Sequence, residues 1–234
     1  FPFVLSFKAP YGRHTTKKWG PLIDNRIGWI IMELPALVIF AAFFLSGDGA
    51  KPFPVWIFFS LWVIHYINRT LVFPFRLKTK GKKMPVAIVL MAIFFNLING
   101  FVNGYFFGTL ATGQRYPVDW LTDWRFLSGI TIFLAGMAIN WQSDHLLINL
   151  RKPGEKGYII PKKGLFRYIS CPNHFGEMVE WGGFALMAWC LPALSFAIWT
   201  IANLLPRALQ HHRWYKQTFA DYPKERKAVF PFLL

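Results

Sequence analysis

Trp29-Ile30-Ile31-Met32-Glu33-Leu34-Pro35-Ala36-Leu37-Val38-Ile39-Phe40-Ala41-Ala42-Phe43-Phe44 is apolar at every position except Glu33, and it is long enough to form most of a membrane span. An ionised side chain near the middle of a lipid-embedded helix costs roughly 2.5 to 3.5 kcal/mol even on the most lenient scale. Such residues face a protein interior that uses them. Glu33 is therefore the first candidate functional residue, and the run around it is the first span.

Composition extends the membrane reading to the whole chain. Of 234 residues, 54% are hydrophobic, 25 are Phe and 11 are Trp, too apolar for a soluble domain that must cover its core with its own polar shell. Five stretches read as spans: 27–46, 53–75, 85–110, 124–147 and 175–211. The last is about twice the ~20 residues a helix needs to cross a bilayer, and Leu191-Pro192 near its middle predicts a turn, so it divides into two short spans. The opening Phe1-Pro2-Phe3-Val4-Leu5-Ser6-Phe7 reads as the end of a further span. The expected fold is an all-α membrane protein, a seven-transmembrane-helix bundle with its first helix truncated, forming one domain over residues 1–234.

The net charge of +15 raises nucleic acid as a partner, but the placement of the basic residues excludes it. Segments 8–26, 76–83, 148–175 and 207–234 hold five, five, six and six Lys or Arg residues, 22 of the chain's 26. All four fall on one side of the proposed topology, as cytoplasmic loops should. That places the N-terminus outside and the C-terminus in the cytoplasm, in an inner membrane if the protein is bacterial and the endoplasmic reticulum if it is eukaryotic. Cys171 and Cys190 are about 28 Å apart along a helix, too far for a disulfide.

Helical rise turns the scattered polar residues into a layer. Glu33 lies six residues, roughly 9 Å, from the cytoplasmic start of its span, and Tyr66 nine residues, roughly 14 Å, from the cytoplasmic end of the next. Arg69 follows Tyr66 at i+3, Asp144 follows Asn140 and Glu177 follows Asn173 at i+4, and Arg207, His211 and Tyr215 continue that spacing, so each set shares one helix face. Asn96, Asn99, Gly100, Asn103 and Gly104 add a polar and small-residue stripe. A channel needs polarity across the whole bilayer, whereas the outer half is largely apolar. The pattern points to a cavity open to the cytosol, holding a large polar ligand deeply with an apolar one beside it. Singly, each residue has a plainer alternative: Tyr66 as a packed ring, the Asn/Gly stripe as helix-packing glue, Glu33 and Arg69 as a structural ion pair, His65 and His174 as ordinary polar contacts. His211-His212 has no partner at ligand spacing, and no metal is expected.

Several segments resemble steroid 5α-reductases in the family's order. They are Tyr11-Gly12-Arg13-His14-Thr15, Glu33-Leu34-Pro35, His65-Tyr66-Ile67-Asn68-Arg69-Thr70, Asn140-Trp141-Gln142-Ser143-Asp144, Leu150-Arg151-Lys152-Pro153-Gly154-Glu155, the run from Gly164 through Cys171-Pro172-Asn173-His174-Phe175-Gly176-Glu177 to Glu180-Trp181, and the tail His211-His212-Arg213-Trp214-Tyr215 with Asp221-Tyr222-Pro223-Lys224 and Arg226-Lys227. The resemblance implies a seven-helix membrane enzyme that uses NADPH to reduce the 4,5 double bond of a 3-oxo-4-ene steroid. It assigns Glu33 and Tyr66 to the 3-keto oxygen, and Asn140, Asp144, Arg151, Tyr158, Asn173, Glu177, Arg207, His211 and Tyr215 to the cofactor. The chain departs from the family pattern at Met32, where some members have Gln, at Ile159, where an Arg can occur, and in the Lys-rich 78–83.

The chemistry gives these roles independent sense. Hydride adds to C5 of an enone only if negative charge moving onto the carbonyl oxygen is stabilised, and preorganised donors at that oxygen do so. Tyr66 is a neutral donor. Glu33 donates only when protonated, a form that desolvation favours; ionised, it orients Tyr66 instead. No G-x-G-x-x-G follows a strand, so the cofactor site is not a Rossmann domain, and Arg151 with the basic loops is expected to meet the phosphates. The competing functions are an S-adenosylmethionine-dependent lipid or isoprenylcysteine methyltransferase, a sterol reductase of different double-bond specificity, and a non-enzymatic sterol-binding protein. The expected partners are a steroid and the lipid bilayer, with no obligatory protein partner.

Overall fold

The computed structural model describes residues 19–78, 81–111, 113–151, 155 and 157–234. Phe1–Phe7, Tyr11–Thr15 and Lys152-Pro153-Gly154 lie outside the described residues. The described residues form six long helices: α1 (Asn25–Ser46), α2 (Phe53–Ile67), α3 (Val86–Tyr105), α4 (Trp124–Ile148), α5 (Pro172–Ala188) and α6 (Leu191–Thr218). π-helical turns extend α2 over Asn68–Val72, followed by a helical turn at Phe73–Arg76, and extend α3 over Phe106–Leu110. Among the described residues, three helical stretches are long and apolar enough to cross a membrane: Asn25–Ser46, Phe53–Arg76 and Val86–Leu110. Their large apolar side chains are exposed at helical spacing, as at Ile27, Ile31, Leu34 and Val38 on α1 and Leu90, Phe94, Leu97 and Phe101 on α3. A water-facing helix would carry polar groups there; a lipid-facing one needs none.

Packing divides the described residues into two compact units. One holds 19–127 with Cys190–Ala193, the other Ser128–Trp189 with Leu194–Leu234.

The first unit starts from a feature the hydropathy pattern does not contain. β1 (Leu22–Asp24) pairs antiparallel with β2 (Lys83–Pro85), Ile23 opposite Met84. This ribbon immediately precedes both α1 and α3, so it brings their first turns together. Asp24 caps α1, its Oδ1 accepting from the Arg26 and Ile27 amides at 2.9 and 3.2 Å, which meets two of the donors every helix start leaves unpaired. From there α1 and α3 run parallel in register: Gly28 lies against Met84, Asn96 Nδ2 donates to the Met32 carbonyl at 2.6 Å, and Gly104 lies against the Phe40 and Phe43 backbone turn. A side chain at Gly104 would meet main-chain atoms, so the small stripe on α3 does serve close packing. α2 runs back antiparallel along α1. Trp62 Nε1 donates to the Ala36 carbonyl at 3.1 Å, and the Trp62 ring stacks on Phe40 at 4.4 Å.

In the second unit α4 and α5 meet through glycines. Gly129 lies against Gly183 and Met187, Gly136 against Gly176 and Glu180, and Gly176 against Asn140. α5 ends at Trp189, whose left-handed φ of 45° and amide bond to the Ala185 carbonyl at 2.9 Å stop the helix. α6 begins at Leu191-Pro192, where the sequence predicts the turn. The tail returns along Ile169, pairing through a parallel bridge to Lys227, and its Val229 joins Cys171, Met178, Leu204 and Ala208 in one apolar cluster. Both cysteines are buried, and neither forms a disulfide.

Candidate active site

The register of α2 on α1 places Tyr66 at the level of Glu33. Trp62 is pinned to Ala36; one turn further along antiparallel α2 is Tyr66, and one turn back along α1 are Met32 and Glu33. Tyr66 is 3% exposed, its ring 5.2 Å from Trp62 and 5.0 Å from His65. Arg69, one turn beyond Tyr66, brings Nη2 to 3.7 Å from Glu33 Oε1, with the two side chains only 12% and 14% exposed. Its guanidinium also sits over Trp29 at 4.9 Å and Phe73 at 5.1 Å. Flat aromatic faces hold a desolvated guanidinium by up to about 2 kcal/mol each. The turn that carries Arg69 is the π-helical Asn68–Val72. Such bulges recur at functional sites because they re-aim side chains without breaking the helix. The ion pair weighed in the sequence is therefore present, but it belongs to a cage of rings rather than to a bare pair.

The second unit gathers part of the predicted cofactor set. Asn140, 1% exposed, donates from Nδ2 to the Asn173 carbonyl at 3.0 Å, while its Oδ1 has no hydrogen-bond donor among the described residues. Asp144, 6% exposed, follows one turn along α4; Glu177 follows Asn173 one turn along α5. His211 on α6 packs its ring 5.9 Å from His174. Arg207 lies one turn before it. Tyr215 is stacked on Tyr222 at 5.3 Å, and Tyr158 packs edge-on to Trp214 at 4.9 Å. Arg151 and Tyr158 belong to the loop after α4, where Arg151 Nη1 donates to the Gly157 carbonyl at 3.2 Å and Tyr158 is half exposed. Asn140, Asp144 and Tyr215 are buried, Asn173, Glu177, Arg207 and His211 are partly exposed, and Tyr158 in the loop is presented from the surface.

One polar cluster escaped the sequence. Ser170 Oγ lies 2.6 Å from His212 Nδ1, 2.6 Å from the Tyr222 hydroxyl and 3.1 Å from the Lys227 carbonyl. Nearby Arg226 is 4% exposed and lies under Tyr222 at 4.9 Å, its Nε and Nη1 unpartnered among the described residues. Ser170 and Tyr222 stand in conspicuous motifs, but nothing in their spacing shows that they meet, because they are 52 residues apart. Burial, then Lys216, Arg226 and Lys227, push the His212 imidazole down to about 4 from its ordinary 6.5. Ser170 Oγ donates to the Lys227 carbonyl and shares a further hydrogen bond with His212 Nδ1, whose direction depends on the ring tautomer, so a proton added to the ring must be accommodated beside Lys216, Arg226 and Lys227.

This fixes the sign of a pH effect. With the folded value below the unfolded one, the unfolded chain binds the proton first, so stability is complete above about 6.5 and is lost as pH falls towards about 4. The thermal midpoint in detergent is expected to fall through that window, and the slope there to flatten in His212→Gln. Equal slopes in both proteins would show that His212 does not fasten the tail.

Comparison with known proteins adds a second line. Residues 82–234 match the family model described as 3-oxo-5-alpha-steroid 4-dehydrogenase. The chain is 43% identical over 231 residues to 3-oxo-5-alpha-steroid 4-dehydrogenase 1 of Bos taurus, covering 97% of this chain and 88% of that protein. It is 41% identical to steroid 5-alpha-reductase DET2 of Gossypium hirsutum, with the same two coverages of 97% and 88%. Against the Homo sapiens 3-oxo-5-alpha-steroid 4-dehydrogenase 1 it is 41% identical, covering 95% of this chain and 85% of that protein.

Proposed function

The chain belongs to the 3-oxo-5-alpha-steroid 4-dehydrogenase family, and from that premise we propose that it reduces the 4,5 double bond of 3-oxo-4-ene steroids to 5α-3-oxosteroids at the expense of NADPH. The observation that carries this reading is the largely covered Glu33–Arg69 pair, level with the buried Tyr66, within a predominantly apolar bundle. As an ion pair Glu33 is a carboxylate and can only accept a hydrogen bond. Tyr66 is then the donor to the C3 oxygen of the substrate, oriented by Glu33 in turn. In a site this dry, a donor fixed before the reaction stabilises the enolate oxygen as charge arrives there, without reorganising solvent. Arg69 is the counter-ion that lets a carboxylate stay at this depth.

The residues of the second unit fit the cofactor by their chemistry. Asn140 Oδ1 is a buried acceptor with no donor among the described residues, which a carboxamide N–H can supply; Arg151 and Arg207 are suited to phosphate, and Asp144, Asn173, Glu177, Tyr158, His211 and Tyr215 to the ribose and ring edges. NADPH, when bound there, supplies hydride. We place both units in one seven-span enzyme with the N-terminus outside and the cofactor residues facing the cytoplasm, the arrangement that leaves most Lys and Arg on one side.

Incubation of the purified protein in detergent with NADPH and a 3-oxo-4-ene steroid is expected to give the 5α product, identified by mass and stereochemistry. Methyl transfer from S-adenosylmethionine without NADPH oxidation would overturn the proposal. Arg151→Ala is expected to raise the Kd for NADPH about tenfold to a hundredfold, the range for losing a hydrogen bond to a charged group, while the steroid KM stays within about threefold. An unchanged Kd would make Arg151 a topology charge only.

A further inference from the structure

Asn99 and Asn103 stand one turn apart on α3 and are 6% and 1% exposed. Asn103 Nδ2 donates to Asn99 Oδ1 at 3.0 Å and to the Asn99 carbonyl at 3.1 Å. These bonds fix both carboxamides and leave two atoms over: among the described residues Asn99 Nδ2 has no acceptor and Asn103 Oδ1 has no donor. A buried orphan of either kind costs free energy comparable with a lost hydrogen bond. Two adjacent orphans of opposite kind are met together by one atom that both accepts and donates. A hydroxyl does this; a carbonyl oxygen can serve only the Asn99 donor.

The position of the pair says which hydroxyl. α1 and α3 are parallel, with Asn96 against Met32, Gly100 against Pro35 and Phe40, and Gly104 against Phe40. At about 1.5 Å per residue, the turn between Asn99 and Asn103 lies roughly 3 to 9 Å further along the bundle than Glu33. That offset, combined with the roughly 8 to 10 Å between the axes of packed helices, is of the order of a fused four-ring skeleton lying obliquely across α1 and α3 with its carbonyl at Glu33 and Tyr66. One turn past Asn103, Phe107 packs on Phe58 at 5.4 Å, so the environment becomes purely apolar again.

We infer that Asn99 and Asn103 form a specificity subsite for a hydroxyl group on the steroid D ring, at the end remote from the reacting enone. The subsite rests on the assignment of Glu33 and Tyr66 to the 3-keto oxygen. A site built to hydrogen-bond a hydroxyl discriminates against the analogue lacking it far more strongly than an apolar pocket discriminates by shape, because the analogue leaves its polar groups unpaired.

The test uses the full chain, purified in detergent, with NADPH and three 3-oxo-4-ene steroids that differ only at C17: a 17β-hydroxyl, a 17-carbonyl, or no oxygen. The expected kcat/KM is highest for the hydroxyl, at least about tenfold above the compound without oxygen, with the carbonyl between them. In Asn103→Leu the hydroxyl substrate is expected to lose about tenfold or more in kcat/KM while the compound without oxygen stays within about threefold, so the preference disappears. Equal kcat/KM for all three in the wild-type protein overturns the subsite and leaves the reductase standing, an outcome that does not depend on the variant folding. Failure to reduce any of the three removes the reductase reading and the subsite with it.

Discussion

Glu33→Gln and Tyr66→Phe each lower kcat for reduction of a 3-oxo-4-ene steroid by about 100-fold to 1000-fold, the range for removing one preorganised donor at a developing oxyanion, while the Kd for NADPH changes less than about threefold. The reason lies in where the groups act. Tyr66 is buried level with Glu33, and Glu33 is held by Arg69 at 3.7 Å, so in the proposed mechanism both changes remove stabilisation that exists only when charge reaches the carbonyl oxygen. Tyr66→Phe removes the donor; Glu33→Gln removes the charge that orients it and leaves Arg69 without its counter-ion. If the two act as a unit, the double variant is hardly slower than Tyr66→Phe alone, since residues of one constellation are strongly non-additive. Rapid-mix kinetics for kcat and equilibrium titration for NADPH separate the roles. Equal loss of cofactor binding in both variants would show that this division is wrong.

Gly183→Ala destabilises the protein by about 3 kcal/mol and Gly182→Ala does not, although they are neighbours on α5 and chemically the same substitution. A Cβ at Gly183 meets the Phe133 amide nitrogen and the Gly129 carbonyl, both backbone atoms of α4 that cannot rotate away; a Cβ at Gly182 meets nothing within 4 Å. At Gly182 the change has only the helix-propensity gain, up to about 1 kcal/mol. Thermal midpoints in detergent are expected to fall by roughly 6 to 12 °C for Gly183→Ala and to hold or rise for Gly182→Ala, at about 2 to 4 °C per kcal/mol for a chain of this size. Gly136, against the Gly176 and Glu180 backbone, should behave like Gly183. Matching midpoints for Gly182→Ala and Gly183→Ala would mean that α4 and α5 do not meet through these glycines.

The residues differ in how far a sequence can place them. The apolar runs of α1, α2 and α3 are legible because lipid imposes one rule on every exposed position, and the break before Leu191-Pro192 because proline cannot continue a preceding helix. The common depth of Glu33 and Tyr66 follows from counting residues along two helices, since rise per residue is nearly constant. Asn140 with Asn173 was readable only as two separate helix faces.

Other features have no local signal. The ribbon between Leu22–Asp24 and Lys83–Pro85 joins segments about 60 residues apart in a chain otherwise read as helix, and its strands are three residues each. Ser170, His212 and Tyr222 converge because the tail folds back along Ile169. The asparagines of α3 look like packing glue until the bond from Asn103 to Asn99 shows which two atoms it leaves over.

The sequence by itself determined the family, the apolar helices and the candidate site residues, because hydropathy and motif order are properties of the chain read in one dimension. The tertiary structure alone decided what each polar group faces: that Glu33 meets Arg69 in a cage of rings, that Gly183 touches a backbone and Gly182 does not, and that Asn99 and Asn103 keep a donor and an acceptor in reserve. Those facts depend on distances of a few ångströms between segments remote in sequence, and non-local distances at that scale are fixed only when the helices pack.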